Sequence, residues 1–361
     1  MIHAIILAGG WGRRLWPKSR RRMPKQIIRL GNRPSSLETL VKQLSKHIPK
    51  QRIWLVVNKN YAPSLRRHLP TINKKNFLVE PLARNTAAAI GWASLAIKRI
   101  DPQALTVVLP SDNILTKDKS FWRAVRAGSL KAEQGDALVT IGMKPHRPAP
   151  EFGHIKIAQS VKLKTKNCIV CKIEKFVEKP NLKKAQRFWK SGNYLWNSGM
   201  FIWRVNSFLQ AAKWHHPGLY SGLQRIDALW GRPQYKNRLA REYKKFKDIS
   251  VDYAVLEKAK NTYVVVSDFS WGDLGSWANL TPDLLACDNQ GNLISGLCKN
   301  IDTHNSVIFS AEKHLIATLG VRDLIVVHTP VATLVCKKDR AQEVKGLTEV
   351  LEKDKHLKHF L

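Results

Sequence analysis

The sequence predicts an α/β protein whose main domain has a mostly parallel sheet and is followed by a smaller, β-rich domain. Short apolar runs at residues 4–8, 53–57 and 105–109 lack alternation and have the length of strands buried on both faces. Helical patterns separate these runs, and this order implies parallel strands joined by right-handed crossovers. Towards its end the chain changes to short β-rich pieces separated by polar turns. The main sheet is therefore expected to be Rossmann-like.

The first predicted strand leads into a glycine-rich loop, Gly-Gly-Trp-Gly-Arg-Arg-Leu-Trp-Pro at residues 9–17. Its glycines permit a sharp turn and bring backbone N–H groups close to a ligand, with no Cβ in the way. Arg13, Arg14 and Lys25 place cations beside those groups, which suits a polyphosphate. The Walker and dinucleotide-binding patterns do not fit, because proline and leucine stand where each pattern needs glycine. A tight structural turn is the alternative interpretation.

Two helices of the main domain have sequence signals at their first residues. Ser35 and Glu38 form a capping box, which predicts a helix through His47. Asn85 can cap a second helix that runs to Ile100, with Ile100 on its inner face. Further strands are predicted at residues 77–79, 137–142, 201–205 and 263–266. Further helices are predicted at about residues 207–229 and after Ser250, on either side of a polar, basic stretch at 231–247.

The β-rich tail defines the second domain. Its strands are predicted at residues 293–297, 306–310, 315–319, 324–328 and 332–336, and a final helix from Asp339 or Arg340 through about Glu352. We place the boundary at residue 288, which gives domains 1–287 and 288–361. Exposed β edges tend to pair with another chain, so we expect a homodimer built through this second domain.

Two aspartates are candidates for a metal site. Asp112 follows the strand at 105–109, and the carboxyl ends of parallel strands are where open α/β sheets bind ligands. Asp273 also follows a strand-like run and is flanked by glycines that allow close approach. Two acids that converge on one point can hold Mg²⁺ against a phosphate.

The composition restricts the class of protein. The apolar run at the N-terminus is far too short for a signal peptide or a membrane span, so a soluble, cytoplasmic protein without membrane contact is expected. Five cysteines, an odd number, fit a reducing compartment. Cys168 and Cys171 form one C-x-x-C, and ordinary strand cysteines are favoured over a metal or redox site. The net charge of +34 would suit a nucleic-acid binder, but it is scattered, which favours a basic solvated surface without specific nucleic-acid binding.

The glycine-rich loop resembles the signature of the sugar-nucleotide pyrophosphorylases, in the form found in mannose-1-phosphate guanylyltransferases. The family's Gly-Gly-x-Gly-x-Arg-Leu-Trp-Pro and Pro-Lys-Gln match residues 9–17 and 24–26. Further matches are Glu-Pro-x-x-Arg-Asn-Thr at 80–86, Phe-x-Glu-Lys-Pro at 176–180, Trp-Asn-Ser-Gly-Met-Phe at 196–201, Ser-x-Asp-Tyr at 250–253 and Trp-x-Asp-x-Gly-x-Trp at 271–277. The resemblance spans nearly the whole chain. It implies a GT-A-like nucleotidyltransferase domain, with a small β-helix-like domain that packs on it or on a partner subunit.

The resemblance also implies roles for residues. Residues expected to bind the nucleotide are Leu7, Gly9, Gly10, Gly12, Arg13, Arg84, Asn85 and Thr86. Residues expected to bind the sugar phosphate are Gly153, Glu178, Lys179, Asn197 and Asp252, with Tyr253 also facing the sugar. Arg14 and Lys25 would hold the triphosphate of GTP, and Asp112 and Asp273 would hold Mg²⁺. The implied reaction is transfer of GMP from GTP to mannose 1-phosphate, with pyrophosphate leaving.

Some positions depart from the family pattern. Ala83 and Ala88 replace a glycine and a proline, Asn113 replaces a histidine, and the segment 149–154, on the sugar side in relatives, is largely altered. Another sugar 1-phosphate, such as a heptose 1-phosphate, or another nucleotide therefore remains an alternative. A basic, non-catalytic nucleic-acid-binding relative is the alternative from a different class. Retention of both acids, Lys25 and Lys179 argues against that second alternative.

Overall fold

A computed structural model describes residues 1–31, 33–115, 118–165, 168–269, 271–282 and 284–361. At residues 114, 115, 118, 159–165, 271 and 273 it describes only the backbone. No helix within these ranges is both long enough and apolar enough to cross a membrane.

The main domain alternates strands and helices in its first half. Its strands are β1 (Ile2–Ala8), β2 (Ile53–Asn58), β3 (Phe77–Glu80), β4 (Leu105–Pro110), β5 (Asn113–Leu115), β6 (Leu138–Met143), β7 (His154–Thr165), β8 (Cys168–Val177), β9 (Tyr194–Arg204), β10 (Thr262–Ser267) and β11 (Trp271–Asp273). Its helices are α1 (Ser36–Leu44), α2 (Ala62–His68), α3 (Asn85–Lys98), α4 (Asp118–Glu133), α5 (Leu182–Ser191), α6 (Val205–His215), α7 (Pro217–Leu229) and α8 (Tyr235–Lys245).

In the described part of the chain, nine strands form the main sheet in the order β3-β2-β1-β4-β9-β6-β10-β8-β7. Seven of them run in one direction, and β8 and β9 run against the rest. The expected α/β class with a mostly parallel sheet is confirmed. The two antiparallel strands were not predicted, because a buried apolar run carries no information about the direction of its neighbour.

The strand order brings the glycine-rich loop and Asp112 to the same edge of the sheet. β1 pairs in parallel with β4, and the register sets Leu7 opposite Pro110. The N–H of Ser111 donates to the carbonyl of Leu7 at 3.2 Å, which continues the pairing past the end of β4. Because both strands end at this edge, the residues that follow them face a common space.

Helix α3 differs from the prediction at both ends. Asn85 has φ of +61° and is the first helical residue, and its side-chain oxygen accepts from the N–H of Thr86 at 2.9 Å. The cap position belongs to Arg84, so the prediction of Asn85 as N-cap was wrong. Ile100 lies beyond the helix and is 62% exposed, so its inward placement was also wrong. Residues 87–97 are all buried, which fits a central helix better than an amphipathic one.

Other boundaries shift by a few residues. The capping box of α1 is confirmed, with both hydrogen bonds present, although the helix ends at Leu44 rather than His47. The strand predicted at 201–205 begins earlier, so that the segment 196–201 lies inside β9. Gly199 has φ of +72° beside an irregular register with β6. After Ser250 the chain forms a single π-helical turn, Asp252–Leu256.

The second domain is a compact coil of short strands followed by helix α9 (Val344–Lys353). Its strands are β13 (Leu293–Ser295), β14 (Cys298–His304), β15 (Val307–Ser310), β16 (Ile316–Arg322), β17 (Leu324–His328) and β18 (Thr333–Lys337). The short strand β12 (Ala286–Cys287), just before the boundary at residue 288, pairs with β13. β13, β15 and β17 pair in parallel, as do β14 and β16, as in a β-helix. β14 was not predicted as a strand, because its polar sequence lacks apolar alternation.

Within the described ranges, buried apolar side chains form three cores. Two lie within the main domain and contain side chains from alternate positions of the sheet. The third joins the two domains: Leu15 and Trp16 from the glycine-rich loop pack in one cluster with Phe309, Val344 and Leu361. The loop is therefore fixed on one side by the second domain.

Candidate active site

Two cavities meet at the edge of the sheet where β1 and β4 end. One has a volume of about 460 Å³ and lies between the glycine-rich loop, β3 and the start of α3. The other has a volume of about 310 Å³ and lies beside β9, next to the residues that precede β7 and those that follow β8. Both are lined by Pro110, Asp112, Gly199 and Asp252. A ligand in each cavity would meet the other beside Asp112.

Lys25 and Asp112 form an ion pair at this junction, from Nζ to Oδ2. Both side chains are largely buried, being 19% and 13% exposed. Gly12 makes the approach of Lys25 possible: it has φ of +84°, and a Cβ there would lie 2.5 Å from the Cβ of Lys25. A side chain at position 12 would therefore displace the lysine as well as strain the backbone.

The wall of the larger cavity holds a buried carboxylate, Glu80 at the end of β3. The hydroxyl of Tyr243 donates to its Oε1 at 3.0 Å, and its Oε2 lies 3.4 Å from where a Cβ of Gly9 would stand. Burial raises the pKa of Glu80 to about 7, against the opposing effect of that hydrogen bond. This acid is therefore partly protonated at neutral pH.

Arg84, Asn85 and Thr86 line the same cavity, as expected for the nucleotide side. The guanidinium of Arg84 donates to the carbonyl of Lys244 at 3.0 Å, and the amide of Asn85 donates to Asp248 at 3.0 Å. Thr86 accepts from the N–H of Val251 at 2.8 Å. These bonds connect the start of α3 to the segment that precedes Asp252.

The smaller cavity contains Gly153, Glu178 and Lys179. A Cβ on Gly153 would lie 2.4 Å from Oε2 of Glu178, so a side chain there would push the carboxylate aside. The Nζ of Lys179 lies 3.0 Å from Oε1 of Glu178, and the lysine side chain is 64% exposed. This leaves the ammonium free to turn towards an incoming phosphate.

Asn197 and Asp252 form a buried polar pair in the same cavity. The amide of Asn197 donates to Oδ1 of Asp252 at 3.0 Å, and its oxygen accepts from the hydroxyl of Thr140 at 2.9 Å. Burial, and then the charge of Glu178, raises the pKa of Asp252 to about 7. The hydrogen bonds fix the orientation of both side chains.

Four expected residues lie elsewhere than anticipated. Arg14 lines the smaller cavity rather than the larger one. Gly12 and Arg13 line neither cavity, and Arg13 instead bonds Glu352 at 2.7 Å. Tyr253 is 45% exposed and lies outside both linings, since the single π-helical turn directs Asp252 inward and its neighbour outward.

The side chain of Asp273 lies outside the described residues, but its backbone position is informative. β11 pairs with β5 in antiparallel fashion, and Asp273 stands opposite Asn113, next to Asp112. The N–H of Leu274 donates to the carbonyl of Asp112 at 3.1 Å. The backbone therefore brings the two predicted metal ligands together. Among the described residues, no group of three or more His, Cys, Asp or Glu side chains could hold a metal ion.

Sequence reasoning missed several residues of the lining. Glu80, Gln26 and Asp248 line the larger cavity, and Glu151 and Gln342 line the smaller one. Glu80 could have been found from the sequence, because it is the first residue of the matched segment at 80–86 and follows a predicted strand. Gln342 had none, since it comes from the second domain and reaches the cavity only through the packing of the two domains.

The arrangement suits the joining of two phosphate compounds. One cavity is large enough for a base and ribose and has the glycine-rich loop at its edge. The other combines Asn197 and Asp252, which can bond sugar hydroxyls, with an exposed cation, Lys179. Charge at the junction is provided by Lys25 and Asp112. Fold and site together define a nucleotidyltransferase.

Comparison with known proteins narrows this class. The family described as nucleotidyl transferase matches residues 3–285, and the MannoseP isomerase/GMP-like beta-helix domain matches residues 298–352. The mannose-1-phosphate guanylyltransferase of Escherichia coli K12 is 34% identical over 99% of this chain and 75% of that protein. The Xanthomonas campestris xanthan biosynthesis protein XanB is 36% identical over 96% of this chain and 73% of that protein.

A solved structure agrees with these relatives. The Thermus thermophilus protein described as mannose-1-phosphate geranyltransferase superposes with a TM-score of 0.85 and 31% identity, covering 97% of this chain and 99% of that chain. The chain belongs to the mannose-1-phosphate guanylyltransferase family.

Proposed function

We propose that this enzyme transfers GMP from GTP to mannose 1-phosphate, giving GDP-mannose and pyrophosphate. The observation that carries the proposal is the meeting of two cavities at Asp112, one fit for a nucleotide and one for a sugar phosphate. The family membership supports the same reaction.

Glu80 supports guanine as the base. Guanine presents two adjacent donors, N1–H and the N2 amino group, and a carboxylate can accept from both at once. Uracil and thymine present one N–H between two carbonyl groups, and these would face the carboxylate with lone pairs. The buried position of Glu80 in the larger cavity makes such a mismatch costly.

Different residues are proposed to bind the triphosphate, the sugar phosphate and the sugar hydroxyls. The N–H groups around Gly9 and Gly10, with Lys25, hold the triphosphate and stabilise the leaving pyrophosphate. Lys179 binds the phosphate of the sugar, and Arg14, which lines the smaller cavity, reaches the same phosphate. Glu178, Asn197 and Asp252 bind the sugar hydroxyls.

The reaction needs positioning and neutralisation of charge more than a covalent nucleophile. A phosphate oxygen of the sugar 1-phosphate attacks the α-phosphorus in line. The bond from the α-phosphorus to the bridging oxygen breaks, and pyrophosphate leaves with that oxygen. Lys25 stands beside the junction and can follow the charge that develops on the leaving group.

The donor set at the junction fits Mg²⁺. Asp112 presents a carboxylate to a cation in the structure, namely Lys25, and the backbone places Asp273 beside it. Oxygen ligands from two carboxylates suit this ion, with phosphate and water completing the octahedron. When bound, Mg²⁺ would neutralise charge on the α-phosphate.

A panel of nucleoside triphosphates and sugar 1-phosphates tests the assignment. We expect pyrophosphate release to be fastest with GTP and mannose 1-phosphate. A strong preference for UTP or dTTP would contradict the guanylyl assignment. A preference for a heptose 1-phosphate would change only the sugar, as the altered segment at 149–154 allows.

We also propose the domain division at residue 288 and reaction in the cytoplasm. The five cysteines fit the cytoplasm, because cysteines remain reduced there.

We further propose a homodimer built through the second domain. Ile301 and Leu319 stand opposite each other on β14 and β16 and are 57% and 72% exposed. Both strands of this two-stranded sheet have an edge to offer a partner.

A further inference from the structure

The glycine-rich loop is anchored to the last part of the chain. The indole N–H of Trp16 donates to the carbonyl of Phe360 at 3.1 Å, and the N–H of Arg21 donates to the carbonyl of Leu361 at 2.7 Å. Trp277 holds the same loop from the main domain, since its indole N–H donates to the carbonyl of Trp16 at 3.1 Å. The loop therefore lies between the two domains.

A single carboxylate in α9 joins two arginines of this loop region. Glu352 accepts from the guanidinium of Arg13 at 2.7 Å through Oε2 and from Arg21 through Oε1. The guanidinium of Arg13 also lies 4.5 Å from the ring centre of Trp11. Arg13 is thus held between an aromatic ring and a carboxylate, directed away from both cavities.

The contact of Glu352 with Arg13 and Arg21 sets position more than it adds stability. The side chains of Arg13, Arg21 and Glu352 are 27%, 53% and 35% exposed, and exposed ion pairs contribute little to folding. The third core already holds the two domains together. Yet Arg13 lies between Gly12, which sets the position of Lys25, and Arg14, which lines the smaller cavity. Fixing Arg13 therefore fixes both of its functional neighbours.

We infer that Glu352 is a positioning residue for the phosphate loop, acting from the second domain through Arg13. The inference rests on the proposed function. It gives α9 a part in catalysis, beside the contribution of Gln342, which lines the smaller cavity and donates to Ser276 at 3.4 Å. Without the carboxylate, Arg13 leaves its place, and the loop samples positions that bind the triphosphate poorly.

The test is Glu352→Gln with Glu349→Gln as its matched control. Both residues lie on α9, and Glu349 pairs with Lys345 of its own helix at 3.6 Å. We expect Glu352→Gln to raise the KM for GTP about tenfold, the scale of one weakened charge-assisted hydrogen bond. The KM for mannose 1-phosphate and the melting temperature should change little. The control should match the wild type in all three.

A double-mutant cycle with Arg13→Gln distinguishes positioning from a general charge effect. If Glu352 acts through Arg13, the double variant should be no worse than the worse single variant. Additive losses, or an unchanged KM for GTP in Glu352→Gln, would overturn the inference. A fall in melting temperature together with equal losses for both substrates would also overturn it, because it would indicate a structural role.

A second measurement separates this inference from the proposed function. Binding of inorganic tripolyphosphate can be measured by calorimetry in the wild type, in Glu352→Gln and in Glu349→Gln. This measurement does not depend on which nucleotide the enzyme prefers. Weaker tripolyphosphate binding in Glu352→Gln alone would support the positioning role even if the substrate panel overturned GTP. Equal binding in all three proteins would refute the role while leaving the proposed function intact.

Discussion

At the residue scale, the pairing of Lys25 with Asp112 explains how a site that contains a carboxylate can bind two phosphate compounds. A carboxylate at a phosphate site repels its ligands unless a cation accompanies it. Lys25 provides that cation in the structure, and a bound metal ion would do so during the reaction. The charge of Asp112 is therefore compatible with phosphate binding only when a cation lies beside it.

Replacing Asp112 by asparagine keeps the shape of the side chain and removes its charge. We expect kcat to fall by about 10²–10³, the effect of losing one preorganised charge-stabilising group. Asp273→Asn should have a similar effect. The double variant should lose less than the sum, since both acids would serve one ion.

Kinetics at saturating Mg²⁺ check this prediction, with thermal melts as the test of folding. Asp268→Asn is a suitable control, because Asp268 is exposed and lines neither cavity. Near-normal turnover in either single variant would mean that the metal is held by other residues.

We expect GTP binding to depend on pH, because Glu80 has a raised pKa. Its pKa of about 7 in the free enzyme lies above the usual value of 4.5, so a fraction of the molecules carries the proton at neutral pH. Only the ionised form accepts both guanine donors, so affinity should increase as pH rises from 6 to 8. Binding near pH 7 should release protons from this group.

Calorimetry in buffers of different ionisation enthalpy measures this proton release. Glu80→Gln should remove the part contributed by the protein, leaving that of the triphosphate itself. The same release from wild type and variant would assign the titration to another group, of which Asp252 is the first candidate.

Much of the candidate site could be predicted at this scale, and the reason lies in local sequence. Asp112, Lys25, Glu178 and Asn197 all line the two cavities, and short motifs that resemble those of a known family had singled them out. The direction of Arg13 could not be predicted, because its partner Glu352 is 339 positions away along the chain.

At the scale of elements, the pairing of β7 with β8 brings Glu178 against Gly153. Gly153 precedes β7, and Glu178 follows β8. The two residues are near each other because β7 and β8 are antiparallel neighbours, with His154 opposite Val177. Position 153 therefore sets where the carboxylate of Glu178 stands in the smaller cavity.

Gly153→Ala should weaken mannose 1-phosphate binding. The added Cβ would lie 2.4 Å from Oε2 of Glu178, so the carboxylate must move. Displacing one charged hydrogen-bond acceptor of the sugar costs about 1–3 kcal/mol, roughly a 5- to 160-fold rise in the KM for the sugar phosphate. The KM for GTP should change little.

Steady-state kinetics with each substrate varied in turn measure this difference. Gly346→Ala serves as the control, because a Cβ at that position in α9 meets no atom within 4 Å. Equal increases for both substrates in Gly153→Ala would argue that the sheet, rather than the sugar pocket, had been disturbed.

Local sequence determines some of these elements, and tertiary contacts determine others. α1 was predicted with its cap because Ser35 and Glu38 determine the first turn locally. α3 was not, because tertiary burial on all sides overrides the amphipathic pattern that would place Ile100 inward. The same holds for β9, whose central glycine suggests a turn until β4 and β6 pair with it on either side.

At the scale of the whole molecule, the second domain offers an apolar surface. Ile301 and Leu319 are joined there by Leu297 and Leu315, which are 56% and 54% exposed. Exposed aliphatic side chains on two paired strands and on the residues just before them favour association with a second copy of the same surface.

The double substitution Ile301→Lys with Leu319→Lys should convert dimers to monomers, since like charges would face each other across the two-fold axis. Light scattering of the full chain and the variant measures the mass. Ile100→Lys, an equally exposed isoleucine in the main domain, should leave the mass unchanged. Monomers of the unsubstituted chain would refute the proposed dimer. A shortened chain is unsuitable, because the third core would be cut.

The anchoring of the glycine-rich loop has a consequence for the order in which the protein matures. The loop leaves the ribosome well before its anchors at Glu352, Phe360 and Leu361, since Glu352 lies 339 positions after Arg13. At 5–20 residues per second, the loop waits roughly 20–70 s for its partners. The sheet can form during that interval, but the loop cannot take its final position. The triphosphate site is therefore completed only after synthesis of the chain has reached α9.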